Sequence, residues 1–283
     1  MRLFSQNIDK LNYYATWLHG VSFVVILAIF LTNRKEVNFN TDLFRTEIEE
    51  LNDGDKTVVL KVKKVAKIST EQLKTFVLFT FLFTCLIHYF YYTNGFGTGV
   101  YKDQLKRSQN SIRWLEYAIT STVMIFVLCI ISGVKEADTV TLITLINAAL
   151  MGLGYFVETA PTKKGKIIAL FMGFYILGAL WYTILYNFYS RIDQVQKVDH
   201  PTVPGKKREV PSWVKQVLTP MFFWYLSFGI VALFYVKNYN KIGFKFETYE
   251  RSYIILSYLS KAFMGYYLAF GLTRPESDDL NKQ

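Results

Sequence analysis

The chain has 283 residues, of which 52% are hydrophobic and 17% aromatic, and its formal net charge is +10. Its apolar residues are gathered into long runs, and runs of about 18 or more such residues are typical of bilayer spans. This distribution excludes an ordinary soluble domain. The positive charge lies mostly between the runs, which indicates contact with anionic lipid headgroups, and no Lys/Arg tract is dense enough to predict nucleic-acid binding.

Seven membrane-spanning helices are predicted, each long enough to cross about 30 Å at a rise of 1.5 Å per residue. In chain order they cover approximately residues 11–32, 72–93, 111–132, 138–160, 166–189, 213–237 and 250–272. The predicted fold class is therefore an all-α membrane protein, a single seven-helix domain over residues 1–283. The two cysteines, Cys85 and Cys129, lie inside apolar runs, so we expect neither a disulfide nor a zinc site.

The first connection between spans is long and carries a strand signal. Residues 57–68 partly alternate apolar and basic side chains, and residues 45–51 alternate apolar and acidic ones. The intervening Asn-Asp-Gly-Asp at 52–55 is a hairpin turn signal. We therefore expect a small β-hairpin outside the membrane within residues 38–68, in a register that the sequence leaves open.

The orientation in the membrane is not decided by charge. More Lys and Arg residues lie beside the span ends opposite the N-terminus than on the N-terminal side, which by a raw count places the N-terminus outside. Many of them belong to the first connection, which is predicted to fold, and the rule is weaker for folded loops.

Lys261 lies close to the middle of the last predicted span. Its side chain reaches roughly 6 Å, whereas each membrane face is about 15 Å away. The residue must therefore find a counter-charge, lose its proton or be covalently modified, for example as a Schiff base with an aldehyde. The alternative is an ordinary Lys–acid pair lining an aqueous cavity, as in many transporters.

Glu116 in the third span is the candidate partner of Lys261. Spans 3 and 7 run in the same direction, and Glu116 lies about five residues, or roughly 7 Å, from the centre of its span, a gap that the two side chains can cover. A carboxylate there would keep a cation protonated in a low-dielectric site. The alternative is a local pair with Arg113, three residues earlier. Ser257 lies four residues before Lys261 on the same helical face and can hydrogen-bond either charged group.

Two of the three histidines are intramembrane. His19 in the first span and His88 in the second are displaced toward the N-terminal face, as is Glu116, and Glu158 lies near that face at the end of the fourth span. Imidazoles near a carboxylate can accept or relay a proton. The alternative is that both histidines only serve helix packing.

Several side chains could wall a slot for a flat polyene, although aromatics at helical spacing more often serve ordinary packing. The candidates are Trp114, Tyr117, Trp181, Trp224 and Tyr225, together with Thr120. The sequence shows no metal, phosphate-loop or hydrolase signature, so we do not predict an enzyme.

These residues together resemble a known family. A lone Lys in the middle of the seventh helix and a carboxylate in the third are similar to microbial-type retinal proteins, and the detail resembles the heliorhodopsins. The matching features are Arg113-Trp114-x-Glu116-Tyr117, Ser257-x-x-x-Lys261, Leu18-His19, His88, Asn147-Ala148, Glu158 and the long hairpin-bearing first loop. They span nearly the whole chain, and their combination is specific although no single motif is.

The resemblance implies a rhodopsin-like bundle in which all-trans retinal is attached to Lys261. Glu116 would be the only counterion carboxylate, and Ser257 would support the Schiff base. His19, His88 and Glu158 would belong to a polar cluster that takes up its proton. Asn147 and Leu150 would lie near the chromophore, and Leu150 departs from the family, which is expected to place a Met near the ring end of retinal. This departure bears on colour tuning.

The resemblance also implies a cytoplasmic N-terminus, an extracellular hairpin and a homodimer. We prefer this orientation to the raw charge count because it draws on more positions. Family members mostly act as light sensors or regulators, which implies a conformational change read by an unidentified partner protein. Two other functions remain open: a light-gated proton or cation conductor, as among some viral relatives, and a dark transporter or membrane enzyme in which Lys261 and Glu116 form an ordinary ion pair.

Overall fold

A computed structural model describes residues 2–32, 41–50, 58–195, 197 and 212–273. These residues form eight helices and one two-stranded antiparallel sheet. In chain order the elements are α1 (Arg2–Thr32), β1 (Thr41–Glu50), β2 (Val58–Ile68), α2 (Thr70–Tyr92), α3 (Val100–Lys106), α4 (Ser111–Ile131), α5 (Ala137–Thr159), α6 (Lys163–Val195), α7 (Ser212–Asn238) and α8 (Phe246–Thr273). The predicted seven-helix bundle with a small hairpin in the first connection is confirmed.

Six of the described helices, α1, α2 and α4 to α7, contain a segment long and apolar enough to cross a membrane. The remaining long helix, α8, has 28 residues, and its lower apolarity comes from several Tyr and Ser residues and four charged ones. Two of those charges, Glu250 and Lys261, are buried inside the bundle. The polarity of α8 thus faces the protein interior rather than lipid, as expected for ionisable residues in a membrane bundle.

Polar caps set where several helices begin. Ser69 and Gln72 form a capping box at the start of α2, in which the Gln72 N–H donates to Ser69 Oγ at 3.3 Å and the Ser69 N–H donates to Gln72 Oε1 at 2.8 Å. At the start of α4, Asn110 Oδ1 accepts the N–H of Arg113 at 3.1 Å. Each cap satisfies backbone donors that the first turn of a helix leaves free.

The short helix α3 was not predicted. It follows a turn after α2 in which Gly95, Gly97 and Gly99 all have positive φ angles, of 71°, 89° and 85°, a conformation that favours glycine. This turn folds α3 back so that Tyr101 and Leu105 are buried. The glycines are therefore explained by the turn between α2 and α3, which places Tyr101 at the N-terminal end of the bundle.

The hairpin is attached to the start of α5. β1 pairs with β2 so that Glu47 lies opposite Lys61, and Glu47 Oε1 is 3.3 Å from Lys63 Nζ. Arg45 donates to the Asp138 carboxylate from Nε at 3.0 Å and from Nη2 at 2.6 Å. The predicted turn at 52–55 lies outside the described residues.

The buried interior differs between the two halves of the bundle. The half next to the hairpin is an apolar cluster contributed by α1, α2 and α4 to α8, and it includes Ile26, Phe81, Leu128, Leu218 and Leu268. The half at the N-terminal side instead buries polar residues, among them Asn12, His19, His88, Asn110, Arg113, Glu158, Lys166 and Glu250. Lys261 and Glu116 lie where the two halves meet.

Gly265 tests the packing of α8 in the apolar half. A Cβ atom added there would lie 3.0 Å from Ile26 Cδ1 and closer still to the buried Phe81 ring. We expect Gly265→Ala to lower the free energy of unfolding by about 1–3 kcal/mol, because overpacking forces neighbouring side chains to move. Thermal unfolding in detergent, followed by circular dichroism, measures this.

The matched control is Gly178→Ala on α6, where an added Cβ meets no atom within 4 Å. Its stability should be unchanged or higher by up to about 1 kcal/mol, since Ala favours helix over Gly. Equal melting temperatures for the two variants would contradict the tight packing at Gly265.

Candidate functional site

The structure brings three predicted site residues together at the centre of the bundle. Lys261 Nζ on α8 lies 3.2 Å from Glu116 Oε1 on α4. Lys261 Nζ also donates a hydrogen bond of 2.8 Å to Ser257 Oγ, one turn earlier on its own helix. Lys261 is 4% exposed and Glu116 is 3% exposed, so the pair is removed from solvent.

The Glu116 carboxylate is further supported by two hydroxyl groups. Thr84 on α2 donates to Oε1 at 2.7 Å, and Thr120, one turn later on α4, donates to the same atom at 3.0 Å. Hydrogen bonds to a charged acceptor are roughly twice as strong as neutral ones. Arg113 contacts other carboxylates, so the alternative of a local Arg113–Glu116 pair is not what the structure has.

A cavity opens beside Lys261. About 470 Å³ of space there is not filled by protein atoms, and part of that space is open to the surroundings. Its lining is largely aromatic and sulfur-containing: Trp114, Tyr117, Thr120, Ser121, Met124, Met151, Tyr225, Phe228, Ser260 and Lys261. The hydroxyls of Tyr117 and Tyr225 donate to backbone carbonyls, so these rings need no polar partner inside the cavity.

A second cavity of about 470 Å³ lies between α5, α6 and α7 and shares Trp114, Met151 and Phe228 with the first. Leu150, one of the predicted pocket residues, lines it. Gly154 also lines it, and a Cβ atom at this position would strike the Trp114 ring. Glycine is therefore required for α5 to pass close to Trp114.

Three other predicted pocket residues line neither of these two cavities. Asn147 donates to Ser121 Oγ at 2.8 Å. Trp181 is buried with its ring centroid 5.4 Å from that of Tyr225, which does line the first cavity. Trp224 lies 6.4 Å from the Phe263 ring. Asn147 and Trp181 thus contact residues that line the first cavity, whereas the ring partner of Trp224 lines neither cavity.

The two predicted imidazoles are stacked on each other. The rings of His19 and His88 have centroids 5.5 Å apart and planes inclined by 11°. His88 Nδ1 lies 2.8 Å from Asn12 Oδ1, whereas neither nitrogen of His19 has a hydrogen-bond partner within the described part of the chain. His19 also packs edge-on against Tyr258, the residue after Ser257. The pair thus packs against α8 in the turn that carries Ser257.

Glu158 was grouped with the imidazoles in the sequence analysis, but the structure places it elsewhere. It forms a buried ion pair with Arg113, which also pairs with Glu250 at the start of α8. Asn110 donates to both acids, from its backbone N–H to Glu158 at 2.9 Å and from Nδ2 to Glu250 at 2.8 Å. Sequence reasoning missed Glu250 because charges at a span end are common, although Arg113, Glu158 and Glu250 all occur near one membrane face.

Lys166 completes the charge balance of this cluster. It is buried at the start of α6, and its Nζ donates to the carbonyls of Val157 at 3.0 Å and Glu158 at 2.5 Å. Cations at a helix C-terminus are stabilised by the free carbonyls there. Two acids and two bases are therefore buried together at the N-terminal side. Within the described residues, no group of three or more His, Cys, Asp or Glu side chains is arranged to hold a metal ion.

The buried Arg113 pairs give a prediction about stability. We expect Arg113→Met to lower the free energy of unfolding by about 3–5 kcal/mol, because it leaves two buried carboxylates without their cation. The control is Arg45→Met, since the Arg45–Asp138 pair is 48% and 59% exposed and such pairs contribute about 0–1 kcal/mol. Denaturant unfolding of both variants measures the difference, and similar losses would contradict the central place of Arg113.

The residues around Lys261 fit a flat apolar chromophore attached as a Schiff base. A buried amine opens onto a mostly apolar, aromatic cavity, a single carboxylate balances its charge, and the second cavity continues the apolar space beyond Trp114. Retinal, with a long polyene and an apolar ring, has this chemistry.

Comparison with solved structures identifies the fold. The crystal structure of a light-driven proton pump from Leptosphaeria maculans is 9% identical, with 93% of this chain and 95% of that chain covered and a TM-score of 0.62. The transmembrane domain and linker region of a rhodopsin phosphodiesterase from Salpingoeca rosetta is 10% identical, covering 100% of this chain and 76% of that chain, with a TM-score of 0.62. The rhodopsin of Exiguobacterium sibiricum is 11% identical, with 93% of this chain and 97% of that chain covered and a TM-score of 0.58. At such identities the likeness shows a microbial rhodopsin fold and no more.

Comparison at the level of sequence families is more specific. No curated protein matches the chain. The family model for heliorhodopsin matches residues 8–272, a range that begins within α1, ends within α8 and contains the hairpin between α1 and α2. The chain therefore belongs to the heliorhodopsin family, a family of retinal-binding photoreceptors that are integral to the membrane.

Proposed function

We propose that this heliorhodopsin is a light sensor whose all-trans retinal is bound to Lys261, with Glu116 as counterion and a partner protein as the reader of its conformational change. The observation that carries the proposal is the buried Lys261 Nζ, which faces Glu116 Oε1 at 3.2 Å and borders an aromatic cavity of about 470 Å³. A lysine there has both the counter-charge and the adjoining apolar space that a protonated Schiff base needs.

The cavity residues would hold the chromophore in place. Tyr117, Thr120, Tyr225 and Phe228 would line the polyene, and Leu150 in the second cavity would contact its ring end. When bound, retinal supplies absorption of visible light and isomerisation from all-trans to 13-cis. The side chains exclude water and confine the direction in which the Lys261 nitrogen can move.

Glu116 would hold the proton on the Lys261 nitrogen in the dark. Two unit charges about 4 Å apart attract each other by about 4 kcal/mol at an effective dielectric constant of 20. The hydroxyls of Thr84 and Thr120 fix the carboxylate oxygen that faces Lys261, and Ser257 accepts a hydrogen bond from Nζ. If the Lys261 nitrogen moves away from Glu116 Oε1, the carboxylate stabilises the protonated nitrogen less, and the nitrogen loses its proton more easily.

The stacked His19 and His88 would receive that proton. Every buried carboxylate and imidazole in the described part of the chain lies at the level of Lys261 or toward the N-terminal side. The hairpin half buries mainly apolar side chains, and its buried Lys74 is paired with Glu71. The carboxylates and imidazoles that could relay a proton are therefore concentrated in one half, which supports a sensor over a light-gated proton or cation conductor.

The same proposal includes the topology and the assembly. The N-terminal face, with the Arg113 cluster, would lie in the cytoplasm, and the hairpin would be extracellular and contribute to a homodimer. The folded hairpin supports this orientation, because many of the basic residues that oppose it belong to a folded loop, where the charge rule is weak.

Binding of retinal at Lys261 can be tested directly. Adding all-trans retinal to the purified protein should produce a visible absorption band, and borohydride under illumination should fix retinal covalently to the protein. Lys261→Ala should lose both. The control is Lys166→Gln, which removes another buried lysine that lines neither cavity and should keep the band. A band that survives in Lys261→Ala would refute the attachment site. Absence of any band in the unaltered protein would instead favour a dark transporter.

The counterion role of Glu116 has a spectroscopic signature. We expect Glu116→Gln to shift the visible band to longer wavelength, because positive charge that is no longer held at the nitrogen spreads along the polyene. Asp138→Asn, on the surface beside Arg45, should leave the band in place. An unchanged spectrum in Glu116→Gln would remove the carboxylate from its proposed role.

Sensing and conduction are distinguished under voltage clamp. A sensor should give no light-evoked current under any proton or cation gradient. A sustained current that Glu116→Gln abolishes would instead establish the conductor.

A further inference from the structure

Asn12 on α1 is buried next to the imidazole pair and has a fixed orientation. Its Nδ2 donates to the backbone carbonyl of Ile8 at 3.1 Å. A carbonyl can only accept a hydrogen bond, so the amide nitrogen must face Ile8. The amide oxygen Oδ1 then faces His88 Nδ1, at 2.8 Å.

This orientation determines the protonation of His88. Because Asn12 Oδ1 has no hydrogen to donate, His88 Nδ1 must be the donor of the bond between them. A neutral imidazole carries one N–H, so the other nitrogen, Nε2, keeps its lone pair. His88 is thereby prepared to take a proton at Nε2.

The location of His88 matches that role. It follows Thr84 by four residues and so lies on the same face of α2, one turn nearer the N-terminal side. Thr84 is itself hydrogen-bonded to Glu116 at 2.7 Å. The imidazole is thus one helical turn from the residue that hydrogen-bonds the counterion of Lys261.

The hydrogen bonds continue from Asn12 toward the Arg113 cluster. Asn12 Nδ2 donates to the hydroxyl of Tyr101 at 3.0 Å, and Tyr101 in turn donates to Glu250 Oε1 at 3.4 Å. Burial raises the pKa of the Tyr101 phenol, so it keeps its proton and remains a donor. From His88 onward, each group donates to the next, and the series ends on a carboxylate.

We propose that Asn12 is a positioning residue that holds His88 as the Nδ1–H tautomer and so makes Nε2 the nitrogen that accepts the proton from the Lys261 site. This inference rests on the proposed function, since it names the acceptor atom of the same proton transfer. No group is oxidised or reduced: a proton leaves the Lys261 nitrogen and a bond forms to His88 Nε2, which leaves a cationic imidazolium.

Asn12 has a second effect on that proton. The Asn12 amide oxygen stabilises an imidazolium at His88. The hydrogen bonds that Asn12 Nδ2 donates to Tyr101, and Tyr101 to Glu250, polarise the amide and strengthen this effect. The amide itself has no titratable proton, so Asn12 transmits polarisation to Glu250 but does not pass the proton on. Asn12 therefore gives the proton on His88 no route toward Glu250, which favours its return to the Lys261 site.

Nitrogen-15 NMR of the dark, retinal-loaded protein tests the tautomer. With labelled histidine, and His88→Gln to assign the signals, His88 should show a protonated Nδ1 and an unprotonated Nε2. Tyr101→Phe should keep this pattern, because the Asn12–Ile8 bond still orients the amide. Asn12→Leu should lose the single tautomer. A protonated Nε2 in the unaltered protein would overturn the proposal without any variant.

Flash photolysis tests the consequence for the proton. The light-induced transient at shorter wavelength should decay about tenfold faster in Asn12→Leu, the factor that corresponds to one unit of acceptor pKa. It should decay correspondingly slower in Asn12→Asp, whose carboxylate adds a negative charge beside His88. Equal decay in all three proteins would refute the role of Asn12. Because these variants are expected to retain the visible band, such a result leaves retinal binding intact, whereas absence of the band in the unaltered protein refutes the proposed function itself.

Discussion

One buried ion pair constrains the whole bundle. Taking Lys261 and Glu116 out of water costs several kcal/mol per ion, and their attraction offsets this only if the remaining donors and acceptors are also satisfied. Three hydroxyl groups, from Ser257, Thr84 and Thr120, complete the site from α8, α2 and α4. These three helices must therefore approach one another at a single level of the membrane. Their meeting point separates an N-terminal side that buries carboxylates and imidazoles from a hairpin side that buries mainly apolar side chains.

The polar side contains a second charged group with a different task. Arg113 on α4 connects Glu158 on α5 with Glu250 on α8, and Lys166 binds the carbonyls at the end of α5. Because these charges balance, the cluster can stay buried without drawing protons from the Lys261 site. It joins the ends of four helices, α4, α5, α6 and α8, by directional contacts, whereas apolar packing alone would leave their relative rotation less defined. Tyr101 links the unpredicted helix α3 to this cluster through its hydrogen bond to Glu250.

The sequence was informative wherever a quantity depends on distance along one helix. The depths of Lys261 and Glu116 follow from a constant rise per residue, and Ser257 follows from helical periodicity. The sequence was uninformative wherever the rotation and packing of helices against one another decide which side chains meet. The choice of Arg113 between Glu116 and Glu158 is of this kind, and so is the place of Trp181 and Trp224 outside the cavity lining. Glu250 is the first residue of the last predicted span, but only the folded bundle shows that its side chain is buried.

Asn110 has a consequence for how the site is kept in register. It caps α4 while its backbone and side chain hold Glu158 and Glu250, so the first residue of this helix cannot slide or turn independently of α5 and α8. Glu116 follows six residues later, about 9 Å along an axis that rotates by about 100° per residue. The direction in which Glu116 points from the α4 axis is therefore set by the contacts of Asn110 at the start of the helix. Insertion of one residue between Asn110 and Glu116 would rotate the Glu116 carboxylate about the helix axis by more than a quarter turn, away from Lys261.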